Sequence, residues 1–193
     1  MGDRRILLVV GHPSAQSYGS ALAEAYAEEA IRSGHQVRWL RLDQLAFDPL
    51  LHDGYRSEQV LEPDLQAAQD WMLWADHLVF VYPVWWGSTP ALMKGFLDRT
   101  FLPGFAFRYV ADKQFPQQLL KGRSAHLLIT MDTPPWYFRW VYGAPAVRQM
   151  KVTTLEFCGI RPVRSLLMGP ILGSTPAQRD RWLRKARALA AQL

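Results

Sequence analysis

The sequence predicts an α/β fold: a doubly wound, five-stranded parallel sheet with helices on both faces, formed as one domain over residues 1–193. Three observations predict it. Short apolar runs alternate with longer segments of helical spacing. The apolar runs are continuous rather than alternating, as in strands covered on both faces. The chain is 49% apolar and 20% charged, enough to bury a sizeable core, with no repeat, linker or low-complexity stretch.

The elements follow in order. Ile6–Val10 is a strand and Ser20–Ser33 a helix, with Leu22, Tyr26 and Ala30 on one face and a stop at Gly34. Gln36–Leu42 is the second strand, with Val37 and Trp39 on one side and Leu40 and Leu42 on the other. A turn-rich stretch runs from Asp43 through Gly54. Pro63–Ala75 is a helix whose packing face is Leu65, Ala68, Met72 and Ala75. His77–Tyr82 is the third strand. A loop follows, and Pro90 is expected at the first position of the next helix, which packs through Leu92, Met93, Phe96 and Leu97. Phe101–Gly122 is long and aromatic, the kind of segment that serves function or contacts a partner. Ala125–Thr130 is the fourth strand, Pro145–Cys158 a helix ended by Gly159, and Val163–Met168 the fifth strand. Thr175-Pro176-Ala177-Gln178 is a capping box that opens a last helix packed through Trp182, Ala186, Leu189 and Leu193.

Composition excludes several classes. No run approaches the roughly 20 apolar residues of a membrane span, so no membrane insertion is expected. Arg4-Arg5 precedes an apolar run of only five residues, too short for a signal peptide. The single cysteine, Cys158, forbids an internal disulfide and a cysteine metal cluster, and suits a reducing compartment. It reads as a core residue. His35, His52, His77 and His126 are scattered without metal-ligand spacing. The net charge of +5 raises nucleic acid as a partner. The basic residues are dispersed, however, and the one dense patch, Arg179 to Arg187, fits the solvent face of the last helix. An anionic small ligand suits the charge and no nucleic acid is expected.

In a doubly wound sheet ligands bind beyond the carboxyl ends of the strands. Three loops there carry the chemistry. Gly11 to Ser20 runs from a strand end into a helix start, where free N–H groups and the helix dipole would seat a phosphate. His12, Ser14, Ser17 and Tyr18 can add side-chain hydrogen bonds, although Ser17 or Ser20 can equally act as a plain helix cap. The loop is neither a Walker A motif nor a GxGxxG fingerprint. Tyr82 to Pro90 holds the adjacent Trp85 and Trp86, a wall for a flat ring, with amides around Trp85–Gly87 placed to bond ring oxygens and nitrogens. Thr130 to Phe138 is polar, then stiff, then aromatic, and can close the far side.

With the three loops in order, the chain resembles the flavodoxin-like NAD(P)H:quinone oxidoreductase family, which includes the DT-diaphorases and the ancillary flavoproteins of bacterial potassium efflux systems. The match is strongest over Tyr82-Pro83-Val84-Trp85-Trp86-Gly87-Ser88-Thr89-Pro90-Ala91-Leu92-Met93-Lys94-Gly95-Phe96-Leu97-Asp98-Arg99. It continues through Phe101 to Phe107, with Gly11-His12-Pro13, Ser17 and Tyr18 as the phosphate loop and Phe157-Cys158-Gly159-Ile160 near the fifth strand. The resemblance implies a flavodoxin-like fold and a bound flavin, FMN by expectation with FAD as the alternative. His12, Ser17, Tyr18, Gly19 and Ser20 would hold its phosphate side, and Pro83, Val84, Trp85 and Trp86 would line the isoalloxazine. Thr130, Asp132 and Thr133 would lie at the other edge. Relatives carry a glycine pair there, where this chain has Thr130-Met131-Asp132-Thr133-Pro134-Pro135, and an aspartate would disfavour an anionic substrate. Tyr137 matches a family tyrosine placed to donate to a developing quinol oxygen, but no histidine follows it.

The implied activity is ping-pong hydride transfer from NAD(P)H to the flavin and then to a quinone-like acceptor, in a cytoplasmic homodimer. Arg99 is expected to meet Asp98 or the partner subunit. A regulatory flavoprotein subunit of a membrane transporter and a flavodoxin-type electron carrier are the alternatives.

Overall fold

The computed structural model describes residues 2–193. Five parallel strands form one sheet: β1 (Arg5–Val10), β2 (Gln36–Arg41), β3 (His77–Pro83), β6 (Ser124–Thr130) and β7 (Val163–Met168). Their spatial order is β2-β1-β3-β6-β7. The order reverses between β1 and β3, which opens a crevice at their carboxyl ends. The helices are α1 (Tyr18–Arg32), α2 (Pro63–Trp74), α3 (Ala91–Thr100), α4 (Pro135–Trp140), α5 (Pro145–Arg148) and α6 (Pro176–Ala190).

Alternation along the strands divides the apolar interior into two layers. Ile6, Leu8 and Val10 face α1 and α6, whose Leu22, Tyr26, Ala186 and Ala190 complete that layer. Leu7, Val9, Leu78 and Phe80 face α2 and α3, where Leu65, Met72, Met93 and Phe96 pack. β2 divides as its pattern predicts, Leu40 joining the second layer while Val37 and Trp39 lie against the first. The Thr175 capping box forms as expected, Oγ1 accepting the Gln178 N–H at 3.2 Å and Gln178 Oε1 accepting the Thr175 N–H at 2.8 Å.

Four features differ from the expectation. Pro90 is the residue before α3 rather than its first: its ψ of 152° is extended, while its carbonyl accepts the Lys94 N–H at 2.9 Å. Phe101–Gly122 contains a minimal antiparallel hairpin, β4 (Phe107–Arg108) with β5 (Gln117–Gln118). Pro135–Trp140 folds as α4 and buries Phe138. The expected helix from Pro145 exists, but over Gln149–Glu156 it winds as a π-helix. There the hydroxyls of Thr153 and Thr154 both donate to the Gln149 carbonyl at 2.9 Å, which competes with ordinary α winding.

Arg99 meets neither Asp98 nor the surface. Lys94 takes Asp98 at 2.7 Å. The Arg99 side chain is fully buried, bonding the Glu62 carboxylate at 2.9 Å and the carbonyls of Asp48 and Val60. It ties the long connection after β2 to α3. Partial burial opposes ionisation of Glu62, but the N–H groups of Asp48 and Glu62 and the Arg99 charge hold its carboxyl below the ordinary range.

His77 and His126, distant in sequence, share one buried network. The Tyr26 hydroxyl lies 2.8 Å from His126 Nδ1 and 3.3 Å from His77 Nε2, and Ser124 Oγ lies 2.7 Å from His77 Nδ1. Burial first, then the charges of Arg164 and Arg4, push the His126 pKa down to about 4. Burial likewise pushes His77 well below its ordinary value. Below pH 6.5 the unfolded chain therefore takes up protons that the folded chain refuses. Stability falls as pH drops from about 6.5 to about 4, by ~3 kcal/mol from His126 alone. Thermal melts across that window are expected to show the loss, and His126→Gln to flatten it. An unchanged slope in the variant would remove His126 from the cause.

Candidate functional site

The carboxyl ends of β1, β3 and β6 surround a cavity of about 320 Å³. The loop after β1 forms one wall because Gly11 lies tight against α3: a Cβ there would sit 3.2 Å from Met93 Cβ. His12 Nδ1 lies 2.9 Å from the Ser14 nitrogen and 3.1 Å from the Ser14 carbonyl oxygen, accepting from the one or donating to the other according to its tautomer. The His12 ring meets the Trp85 indole edge-on, with centroids 5.6 Å apart. Ser17 caps α1, Oγ accepting the Ser20 N–H at 3.1 Å. The N–H groups of Gln16, Tyr18 and Gly19 have no partner among the described residues. Unpaired donors and the positive end of a fifteen-residue helix thus coincide.

The Tyr18 ring lines the cavity, but its hydroxyl donates to the Arg179 carbonyl at 2.7 Å. Burial raises its pKa to about 12, against the lowering effect of the Arg179 charge.

The wall after β3 is a four-residue turn. Trp85 and Ser88 exchange both backbone hydrogen bonds at 3.0 Å, and Trp86 and Gly87 between them have φ of 51° and 78°. Positive φ at both central positions suits Gly87 and strains Trp86, whose indole projects fully into solvent. Trp85 faces the cavity. The Trp86 and Gly87 N–H groups have no partner among the described residues. The Ser88 hydroxyl donates to Gln149 Oε1 at 2.9 Å, so the π-wound segment holds this turn.

The third wall follows β6. Thr130 gives its carbonyl to the Val84 N–H at 2.7 Å, joining two walls. Asp132 Oδ1 accepts the Leu172 N–H at 2.6 Å, and Met131 bonds both Met168 and Ile171 at 3.0 Å. These contacts bring the loop after β7 to the cavity and place Ile171 in its lining.

Of the residues expected at the site, His12, Ser14, Ser17, Tyr18, Gly19, Pro83, Val84, Trp85, Thr130 and Asp132 line this one cavity. Ser20, Trp86, Gly87, Thr133 and Tyr137 lie outside the lining. Tyr137 sits at the head of α4, its ring edge-on to Trp136 and Tyr142. Gln16, Met131 and Ile171 complete the lining without having been singled out. A signal for Ile171 existed: Gly169-Pro170 ends a fifth parallel strand on the same side of the sheet. No group of three or more metal-ligating side chains occurs among the described residues. Burial raises the Cys158 thiol to about 12, as suits a core cysteine.

Known proteins are similar to this chain in sequence and in fold. An uncharacterized NAD(P)H oxidoreductase of Haemophilus influenzae is 29% identical over 170 residues, 86% of this chain and 83% of that protein. NAD(P)H dehydrogenase [quinone] 1 of Cavia porcellus is 27% identical over 197 residues, 90% of this chain and 70% of that protein. An FMN-dependent NADH-azoreductase of Bacillus anthracis, solved with FMN, superposes with a TM-score of 0.75 at 14% identity, covering 98% of each chain, and so shares the fold. A family described by its flavodoxin-like fold matches residues 4–193. That match takes in the whole sheet and all three walls of the cavity, and the chain belongs to this flavodoxin-like family.

Proposed function

We propose that this chain is a flavin-dependent NAD(P)H oxidoreductase that reduces quinones or similar small acceptors by two electrons, donor and acceptor taking turns at one cavity. One observation carries the reading. Unpaired N–H groups at the head of α1 and the Trp85 indole open onto the same space, which fits a group with a phosphate at one end and a flat ring at the other. The names of the Haemophilus and Cavia relatives support the donor and the acceptor class.

The residues present fit FMN. Gln16, Tyr18 and Gly19 would give N–H bonds to the phosphate, with Ser14, Ser17 and Ser20 hydroxyls beside them and, in the tautomer that carries its proton on Nε2, His12 as a further donor. Pro83, Val84 and Trp85 would flank the ring. The free Trp86 and Gly87 amides would meet its polar edge, with Thr130, Asp132 and Thr133 on the far side. FAD, the alternative, needs an adenosine pocket near residues 43–62. The large cavity there, between Leu51 and Phe105, shares no lining residue with the strand-end cavity, which favours FMN. Bound, the flavin supplies hydride transfer from the nicotinamide and on to the acceptor.

The chain's own contribution is orientation and electrostatics. Amides aimed at the ring edge would stabilise negative charge developing there. We assign Tyr137 the donation of a proton to the developing quinol oxygen. Tyr137→Phe is expected to lower kcat/KM for the quinone by roughly ten- to a hundredfold while sparing the NAD(P)H half-reaction. Unchanged quinone turnover would remove that role. Initial rates at varied NAD(P)H and quinone are expected to give parallel reciprocal plots. Intersecting plots would contradict alternating use of one cavity.

The exposed aromatics Trp86, Trp136, Trp140 and Tyr142 favour a symmetric homodimer covering this end of the molecule. Sedimentation equilibrium checks it, and a monomer at micromolar concentration contradicts it. No helix among the described residues is long and apolar enough to cross a membrane. We place the protein in the cytoplasm, where NAD(P)H is supplied.

A further inference from the structure

The amino ends of β3, β6 and β7 lie at the opposite pole of the sheet from the strand-end cavity, about 20 Å away along the length of β6. A second cavity, of about 240 Å³, opens there. Arg4, Arg123, Arg161 and Arg164 line it with His77 and His126, and no acidic side chain does. None of the four guanidiniums makes a salt bridge to a carboxylate side chain among the described residues. Arg123 is fixed by the Met72 and Leu73 carbonyls at 2.9 and 2.8 Å. Arg4 gives only Nε to the Leu193 oxygen, at 3.1 Å, and Arg164 only one nitrogen to Gln192 Oε1, at 3.0 Å. Even counted as a carboxylate, the Leu193 oxygen would offset one of four charges, and Asp76, already paired with Arg5, offsets part of the Arg123 charge from outside the lining.

A second observation points the same way. His126 is 4% exposed, and its Nε2 has no partner among the described residues. The buried network has two consistent proton orders, one the reverse of the other; an anion beside His126 Nε2 selects the one in which Ser124 donates to His77 Nδ1, His77 Nε2 to the Tyr26 oxygen, and the Tyr26 hydroxyl to His126 Nδ1. That order leaves the His126 proton on Nε2, a nearly buried donor in the lining of an arginine-rich cavity. The positive field is felt by the histidines themselves. After burial, Arg164 and Arg4 depress His126, and His126, Arg4 and His35 depress His77.

We propose that this cavity binds a small tetrahedral oxyanion of the phosphate or sulfate class. Arg4, Arg161 and Arg164 supply charged donors, Arg123 a fixed charge, and His126 Nε2–H a directional bond. The site is separate from the phosphate seat proposed at the head of α1.

The test is a titration of the full chain with inorganic phosphate, followed through the His126 imidazole resonances at an ionic strength held constant with chloride. His126 reports this pole alone, so phosphate at α1, or failure of the flavin reading, does not alter the readout. Phosphate is expected to shift the His126 signals saturably and to raise its pKa from about 4 by about one unit, a tenfold preference for the protonated, anion-bound form. Sulfate and a phosphomonoester are expected to compete. Arg164→Gln and Arg161→Gln, both at exposed side chains, are each expected to weaken phosphate binding about tenfold. A non-saturable shift, or the same affinity in both variants, would overturn the proposal.

Discussion

Ser17→Asp is expected to lower FMN affinity at least a hundredfold while leaving riboflavin affinity within a few-fold of its original value. Aspartate caps a helix as well as serine does, so α1 keeps its first turn. The new carboxylate would stand among the N–H groups proposed to receive the phosphate. Two like charges ~5 Å apart at an effective dielectric near 20 repel by about 3 kcal/mol, and a hundredfold change in affinity needs about 2.7 kcal/mol. Riboflavin has no phosphate and escapes this repulsion. Fluorescence quenching titrations with both flavins measure the ratio. Equal losses for the two would mean that the head of α1 is not the phosphate seat.

Arg99→Met is expected to destabilise the fold by about 2–4 kcal/mol, the cost of leaving a partly buried carboxylate and two carbonyls without their donor. The side chain is wholly buried, and its loss strands the Glu62 carboxylate and the carbonyls of Asp48 and Val60. Gly95, on the same helix, shows how tightly the connection is held: a Cβ there would stand 2.8 Å from the Pro49 carbonyl oxygen. Denaturant titration of the variant measures the loss. A change under 1 kcal/mol would show that the connection after β2 is not clamped through Arg99.

The contrast between Arg99 and Asp132 shows what was legible in the sequence. Strands were legible because Ile6–Val10 and His77–Tyr82 are continuous apolar runs. The start of α6 was legible because a capping box is a local motif. The cavity walls were legible because each begins where a predicted parallel strand ends. Arg99 was not, since a cation on a helix next to Asp98 reads as a surface pair, and only tertiary contact reveals Glu62 as its partner. Asp132 was legible as a residue at a strand-end loop, and it lines the cavity there, but its bond to Leu172 depends on the turn after β7. The π winding from Gln149, where two threonine hydroxyls bond one carbonyl, is a detail that helical periodicity cannot show. α4 was not legible because six residues rich in aromatics carry little helical signal and fold around one buried ring, Phe138.

The most direct measurement is the visible absorbance spectrum of the purified protein, with release and chromatography of what it carries. The account predicts the two-band spectrum of an oxidised flavin, a released cofactor that runs as FMN, bleaching by NAD(P)H without oxygen, and return of colour on adding a quinone. A colourless protein that takes up neither FMN nor FAD when each is supplied would contradict it, and the cavity at the ends of β1, β3 and β6 would then serve another ligand.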